Sequence, residues 1–130
     1  MFVGVLNSGA TVATDEPYIW NQTMLTNSNI SYNSSTGTIT IKNPGYYNIH
    51  VDISGNGAGL IKPTLVINNS NSSVIGSATS AAATDVNIAF DSVIKVIPGP
   101  SGVYVNLSIV NRGAATETIT GGNIVIERVA

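Results

Sequence analysis

The sequence predicts an all-β chain folded as one antiparallel domain over residues 1–130. Three observations carry that expectation. Short runs alternate apolar and polar residues with period two, the mark of a strand with one wet and one dry face. The i, i+3, i+4 spacing of an amphipathic helix is nearly absent. Clusters of Gly, Pro and Asn separate the runs at short intervals. A chain of 130 residues suits one core, burying about 65–70% of the surface its unfolded form exposes, and neither a linker nor an internal repeat divides it.

Taken in order, "FVGVL" (2–6) is the first strand. Ile39 and Ile41 alternate with Thr38, Thr40 and Lys42, and after Asn43-Pro44-Gly45 the residues Tyr47, Ile49, Val51 and Ile53 alternate with Tyr46, Asn48, His50 and Asp52. The two runs read as a hairpin, with Pro44 fixing φ at the bend and Gly45 taking angles that other residues resist. "SGNGAG" (54–59) reads as a turn and "TLVIN" (64–68) as a short strand after Pro63. Residues 68–85 read as a long connection, in which 76–84 is either loop or small-residue strand. "VNIAFDSVIKVI" (86–97) is a strand, "PGPSG" (98–102) a turn, and Val103, Val105, Leu107 and Ile109 form the dry side of another strand. "NRGAATETITGG" (111–122) reads as loop, and "NIVIERV" (123–129) is the last strand.

Three of these runs, 2–6, 86–97 and 123–129, offer apolar residues to both sides. An antiparallel sheet in a sandwich has one face on the core and one toward water, so a strand apolar on both needs a second cover. Another copy of the chain supplies it most simply. The interface residues expected from these runs are Val3, Val5, Val93, Ile97, Ile124, Val125 and Ile126. The competing reading makes the same runs central strands beneath a long loop of their own chain.

"GTITIKNPGYYNIHVDI" (37–53) resembles the tumour-necrosis-factor-like jelly rolls, in particular the complement first-component globular heads and their bacterial and phage relatives, where a strand ends at Pro-Gly and re-enters through paired aromatics. Tyr32-Asn33 ahead of Gly37 fits the same pattern. "GGNIVIERVA" (121–130) is similar to the last strand of the C-terminal domain of the collagen-like glycoprotein of Bacillus exosporia. The resemblance implies a two-sheet antiparallel jelly-roll sandwich of ten or so strands, assembled as a homotrimer whose axis is lined by the sheet holding the first and last strands. The sequence departs from the collagen-stalked relatives in holding no Gly-X-Y repeat of its own, so any stalk lies outside it or is of another type.

Composition narrows the function. Charged residues are only 9% of a chain that is 43% apolar, with Asn, Ser, Thr and Gly supplying the polarity. Lys42, Lys62, Lys95, Arg112 and Arg128 are scattered and the net charge is −2, so there is no basic stripe to follow a phosphate backbone, and no nucleic-acid partner is expected. With no cysteine there is neither a disulfide framework nor a thiolate metal site. No stretch approaches the roughly 20 apolar residues of a membrane-spanning helix, so no membrane insertion is expected. "MFVGVLNSGA" lacks the basic start and long apolar run of a signal peptide; display outside a cell is expected to come from an upstream segment or from incorporation into a particle.

Chemistry is thin. His50 and Asp52 share the wet side of one strand, yet a lone histidine with one carboxylate and no nucleophile elbow does not make an active site. Asp85 and Asp91 flank a strand without the ligand spacing of a calcium loop. No catalytic residue, metal or cofactor is therefore expected. Trp20 is read as packed beneath a loop, and Tyr46 and Tyr104, on the wet sides of their strands, are the candidate ligand contacts. The expected function is a non-enzymatic trimeric head on an extracellular particle surface, foremost a bacteriophage virion fibre or decoration protein that attaches to a host glycan or cell-surface protein. The alternatives are a spore-surface filament tip and a soluble cytokine-like or lectin-like trimeric ligand.

Overall fold

The computed structural model describes residues 1–25, 29–81, 83–98 and 105–130, and these form strands and turns without a helix. The strands are β1 (Phe2–Val5), β2 (Thr11–Val12), β3 (Asn21–Leu25), β4 (Ile30–Asn33), β5 (Thr38–Ile41), β6 (Gly45–Asn56), β7 (Gly59–Ile61), β8 (Pro63–Ile67), β9 (Ser70–Ile75), β10 (Ala78–Ser80), β11 (Val86–Val96), β12 (Val105–Asn111) and β13 (Glu117–Arg128). Sheet A runs β11-β6-β13-β1-β3, with β2 also paired to β13; sheet B runs β4-β5-β12-β8-β9; β7 and β10 form a separate pair. Every pairing is antiparallel.

One core joins the two large sheets. Phe2, Tyr47, Ile49, Val51, Ile53, Ile124 and Ile126 from sheet A pack with Ile30, Ile39, Ile41, Leu65, Leu107 and Ile109 from sheet B. These are the dry sides of alternating strands, and facing them inward is what makes a sandwich. A smaller cluster of Ile61, Ile88 and Ala115 lies beneath the β7–β10 pair.

The expected hairpin across Asn43-Pro44-Gly45 is instead a corner. β5 belongs to sheet B and β6 to sheet A, and the two strands do not pair. Alternation is the same in either arrangement, because it states which residues are dry and not which sheet receives them. Tyr47 fastens the corner by donating its hydroxyl to the Asn43 carbonyl at 2.7 Å. Gly45, at φ +148°, lets the C-terminal residues close in, since a Cβ there would stand 2.5 Å from Arg128 Nε and 2.7 Å from the Ala130 carbonyl.

Several segments read as loop are strand, and within 76–84 the strand alternative holds. Ser54–Asn56 continue β6, Ser70–Ile75 form β9, Ala78–Ser80 form β10, and Glu117–Gly122 open β13. Their small and polar residues carry little β signal, yet an established neighbour strand still offers them a ladder to join. Asn68 and Asn69, both at positive φ, turn β8 directly into β9 in the manner of a two-residue hairpin. β13 carries a bulge between Ile119 and Gly121 that changes which residues face the core: Glu117 and Ile119 before it, Ile124 and Ile126 after it. Gly122, at φ +158°, passes so near β6 that a Cβ would lie 2.7 Å from the Asp52 carbonyl.

Candidate functional site

The outer face of sheet A holds four of the expected interface residues, Val3, Val5, Val93 and Val125. Met24, Val3, Val125, His50 and Asp91 stand in one cross-strand row, and Asn21, Val5, Asn123, Asp52 and Ala89 in the next. Toward the other end Glu127, Asn48 and Val93 form a third row, with Tyr46 and Lys95 beyond it. Val3 and Val125 are half-buried by their neighbours and Val5 and Met24 are exposed. Val93 and Ile97 are the most open, each 61% exposed.

Two of the seven residues expected at an interface between copies are corrected. Ile124 and Ile126 are wholly buried in their own protomer's core, where they pack with Phe2 and Ile49. The period of two leaves only Val125 between them on the outer side. β11 is likewise less two-faced than its composition suggests. Ile88, Phe90, Ile94 and Val96 turn inward, while Asn87, Ala89, Asp91, Val93 and Lys95 turn out, followed by Ile97. The second apolar face is therefore narrower than the sequence reading made it, and it is concentrated on β1, β3 and β13.

Polar groups on this face pair across strands. His50 Nδ1 lies 2.8 Å from Asp91 Oδ1, so the histidine partners β11 and not Asp52 on its own strand. Asp52 instead accepts from Asn87 Nδ2 at 2.7 Å, and the same amide group reaches Ser54 Oγ at 2.8 Å. Asp85 accepts from Asn56 Nδ2 at 2.8 Å, far along β11 from Asp91. Among the described residues no group of three or more His, Asp or Glu is arranged to hold a metal ion, and no helix is long and apolar enough to cross a membrane.

Of the two tyrosines expected to contact a ligand, Tyr46 is 44% exposed at a corner of the face, with Lys95 Nζ 5.8 Å above its ring. Tyr104 lies outside the described residues, as does Val103. Trp20 is packed, being only 1% exposed, against Tyr18 at 6.4 Å between ring centroids.

A buried polar cluster had no place in the sequence reading. The Tyr18 hydroxyl donates to Glu117 Oε1 at 2.6 Å inside the fold. Beside it Asn111 is fully satisfied: its Nδ2 donates to the carbonyls of Val12 and Ala115, and its Oδ1 accepts from the backbone N–H of Lys62 and of Gly113. The available signal was the alternation of "TETIT" (116–120), which puts Glu117 in phase with the buried Ile119. Reading 111–122 as loop concealed it.

Two five- to six-stranded antiparallel sheets closed over one core, with the first and last strands as neighbours, constitute the tumour-necrosis-factor-like jelly roll. Solved structures of that fold match throughout. The globular domain of zebrafish complement 1qA is similar at TM-score 0.74 and 13% identity, covering 99% of this chain and 96% of that one. Eiger TNF from S. frugiperda gives TM-score 0.75 and 13% identity over 99% and 93%. PRD1 vertex protein P5 gives TM-score 0.63 and 14% identity over 99% of this chain and 72% of that one. No known sequence family and no curated protein matches the chain.

Proposed function

We propose that the chain is a non-enzymatic head that assembles as a homotrimer through the outer face of sheet A and is displayed on an extracellular particle, as a bacteriophage virion fibre or decoration protein. The observation that carries this reading is the apolar content of that face: Val3, Val5, Met24 and Val125 adjoin one another, with Val93 and Ile97 exposed further along. Scattered surface apolar residues are ordinary, but a contiguous group on one sheet face calls for protein cover. A closed three-fold ring uses a different patch on each side of every subunit, which suits a face with two apolar zones and a polar band between them.

The virion assignment is supported by likeness along 99% of the chain to PRD1 vertex protein P5. Attachment to a host glycan or cell-surface protein would fall to Tyr46 at the corner of the face or to the connections at the sandwich ends. A second reading, a soluble cytokine-like ligand, is favoured by equally extensive likeness to Eiger TNF. Sedimentation or native mass measurement tests the assembly. The expected particle has three times the 13.4 kDa chain mass, and a stable monomer would remove the basis of the reading. Binding of the purified trimer to a glycan array separates an attachment protein from an inert cap.

A further inference from the structure

Glu117 is the only carboxyl group wholly buried among the described residues, at 0% exposure. Its Oε1 accepts from Tyr18, while Oε2 has no hydrogen-bond partner among the described residues. None of the chain's five Lys and Arg residues pairs with it: the ion pairs among the described residues are His50–Asp91 and Arg112–Asp15. From β6 it meets the Gly55 backbone, where a Cβ would stand 2.5 Å from Oε2, and from β2 its register partner is Val12. Asn111 has its donors and acceptor already occupied. Tyr18 is thus the sole titratable group at hydrogen-bond distance. A carboxylate in such a site carries a charge against one donor and no counter-ion, an arrangement that burial strongly disfavours.

Tyr18 belongs to a strap, residues 13–20, that leaves sheet A after β2, crosses to sheet B and returns to sheet A at β3. Backbone bonds hold the strap on the end of β12: Asp15 N–H to the Asn111 carbonyl (2.6 Å), Asn111 N–H to the Glu16 carbonyl (3.0 Å) and Tyr18 N–H to the Ile109 carbonyl (2.8 Å). Its buried side-chain anchor is the Tyr18–Glu117 bond. We propose that these two residues form an acid-tightened latch, in which Glu117 holds a proton in the folded chain and keeps the strap docked, and loss of that proton to solvent loosens it.

Burial pushes the Glu117 carboxyl above its ordinary value of 4.5, with the Tyr18 hydrogen bond offsetting part of the rise. Burial, then the nearby Glu117, pushes the Tyr18 phenol up as well, so it remains a donor throughout. Between 4.5 and the raised folded value, Glu117 is protonated when the strap is docked and ionised when it is open. The docked form is therefore favoured most below 4.5, loses ground as pH rises through that window, and levels off above it.

Trp20, the only tryptophan and buried beside Tyr18, reports the latch directly. The test follows Trp20 emission, and hydrogen exchange at the Asp15, Tyr18 and Asn111 amides, in wild type and Glu117→Gln between about pH 4 and pH 9. In wild type, emission should shift to the red and strap opening, corrected for intrinsic exchange, should rise by about tenfold per pH unit within the window. Glu117→Gln should show neither change. Parallel curves for the two proteins would overturn the latch. If the variant does not fold, carboxyl-carbon NMR of the wild type decides: Glu117 should titrate above the ordinary value of 4.5, and titration at or below that value would refute the proposal. The latch lies within one protomer, so neither result depends on the trimer.

Discussion

The outer faces of the two sheets differ in what they ask of their surroundings. Sheet B presents Ser31, Thr38, Thr40, Asn106 and Ser108, with Val66 and Val110 its buried apolar exceptions. Their polar groups bond laterally, as where Thr40 Oγ1 donates to Asn106 Oδ1 at 2.7 Å, or remain open to water. Sheet A presents Val3, Val5, Met24 and Val125 beside a band of paired polar groups. Both sheets have equally dry inner faces. Period-two alternation thus describes half of each strand well, and the other half separates a largely polar surface from one on which apolar side chains adjoin one another.

The largest effect expected from breaking this contrast is loss of assembly. Val125→Asp places a carboxylate in the proposed interface and should weaken association by about 3–5 kcal/mol, enough to give monomers by sedimentation at micromolar concentration. Thr40→Asp on sheet B should leave the particle mass unchanged. If Val125→Asp and Ile97→Asp both still assemble, the interface lies elsewhere. Next come the inner faces, where the sheets should behave alike: Ile39→Ala and Ile49→Ala, both fully buried, should each cost about 2–5 kcal/mol in denaturant unfolding. A large asymmetry between them would mean that one sheet does not share the common core.

Smaller still is Tyr47→Phe at the corner. Removing the hydroxyl that bonds the Asn43 carbonyl should cost about 0.5–1.5 kcal/mol, read in the same unfolding experiment. Smallest is His50→Asn with Asp91→Asn. Both side chains are substantially solvent-exposed in the single protomer, so its stability should change by less than about 1 kcal/mol. A larger change in the assembled protein than in a Val125→Asp monomer would assign the pair to a covered face.

The strands with strong β-branched alternation, at 38–41, 47–53 and 105–109, were legible from sequence, as was the dry series Tyr47, Ile49, Val51 and Ile53. The corner at Pro44 was not, because pattern determines which side of a strand is dry and is silent on its partner strand. β9 and the start of β13 were missed, and β10 was only one of two readings, for a different reason: Ser, Asn, Thr and Gly pair there because a neighbouring ladder exists, a cause invisible within a local window. The site divides in the same way. Val3, Val5, Val93 and Val125 are on the outer side of sheet A and Ile97 is exposed just past β11, whereas the inward turn of Ile124 and Ile126 follows from a bulge between Ile119 and Gly121 whose phase the sequence alone did not reveal.

The position of β13 has a consequence for how the chain reaches its fold. It follows every other strand of the domain in chain order, yet it sits inside sheet A, hydrogen-bonded to β6 on one side and to β1 and β2 on the other. Until it emerges from the ribosome, β1 and β6 have no common partner and their facing edges stand open. Pairing Phe2 with Ile126 closes a loop over residues 2–126, the kind of long-range contact that slows folding. Nascent chains should therefore remain without a completed sheet A until β13 has emerged, and during that interval the exposed edges of β1 and β6 are where premature pairing between neighbouring chains would begin.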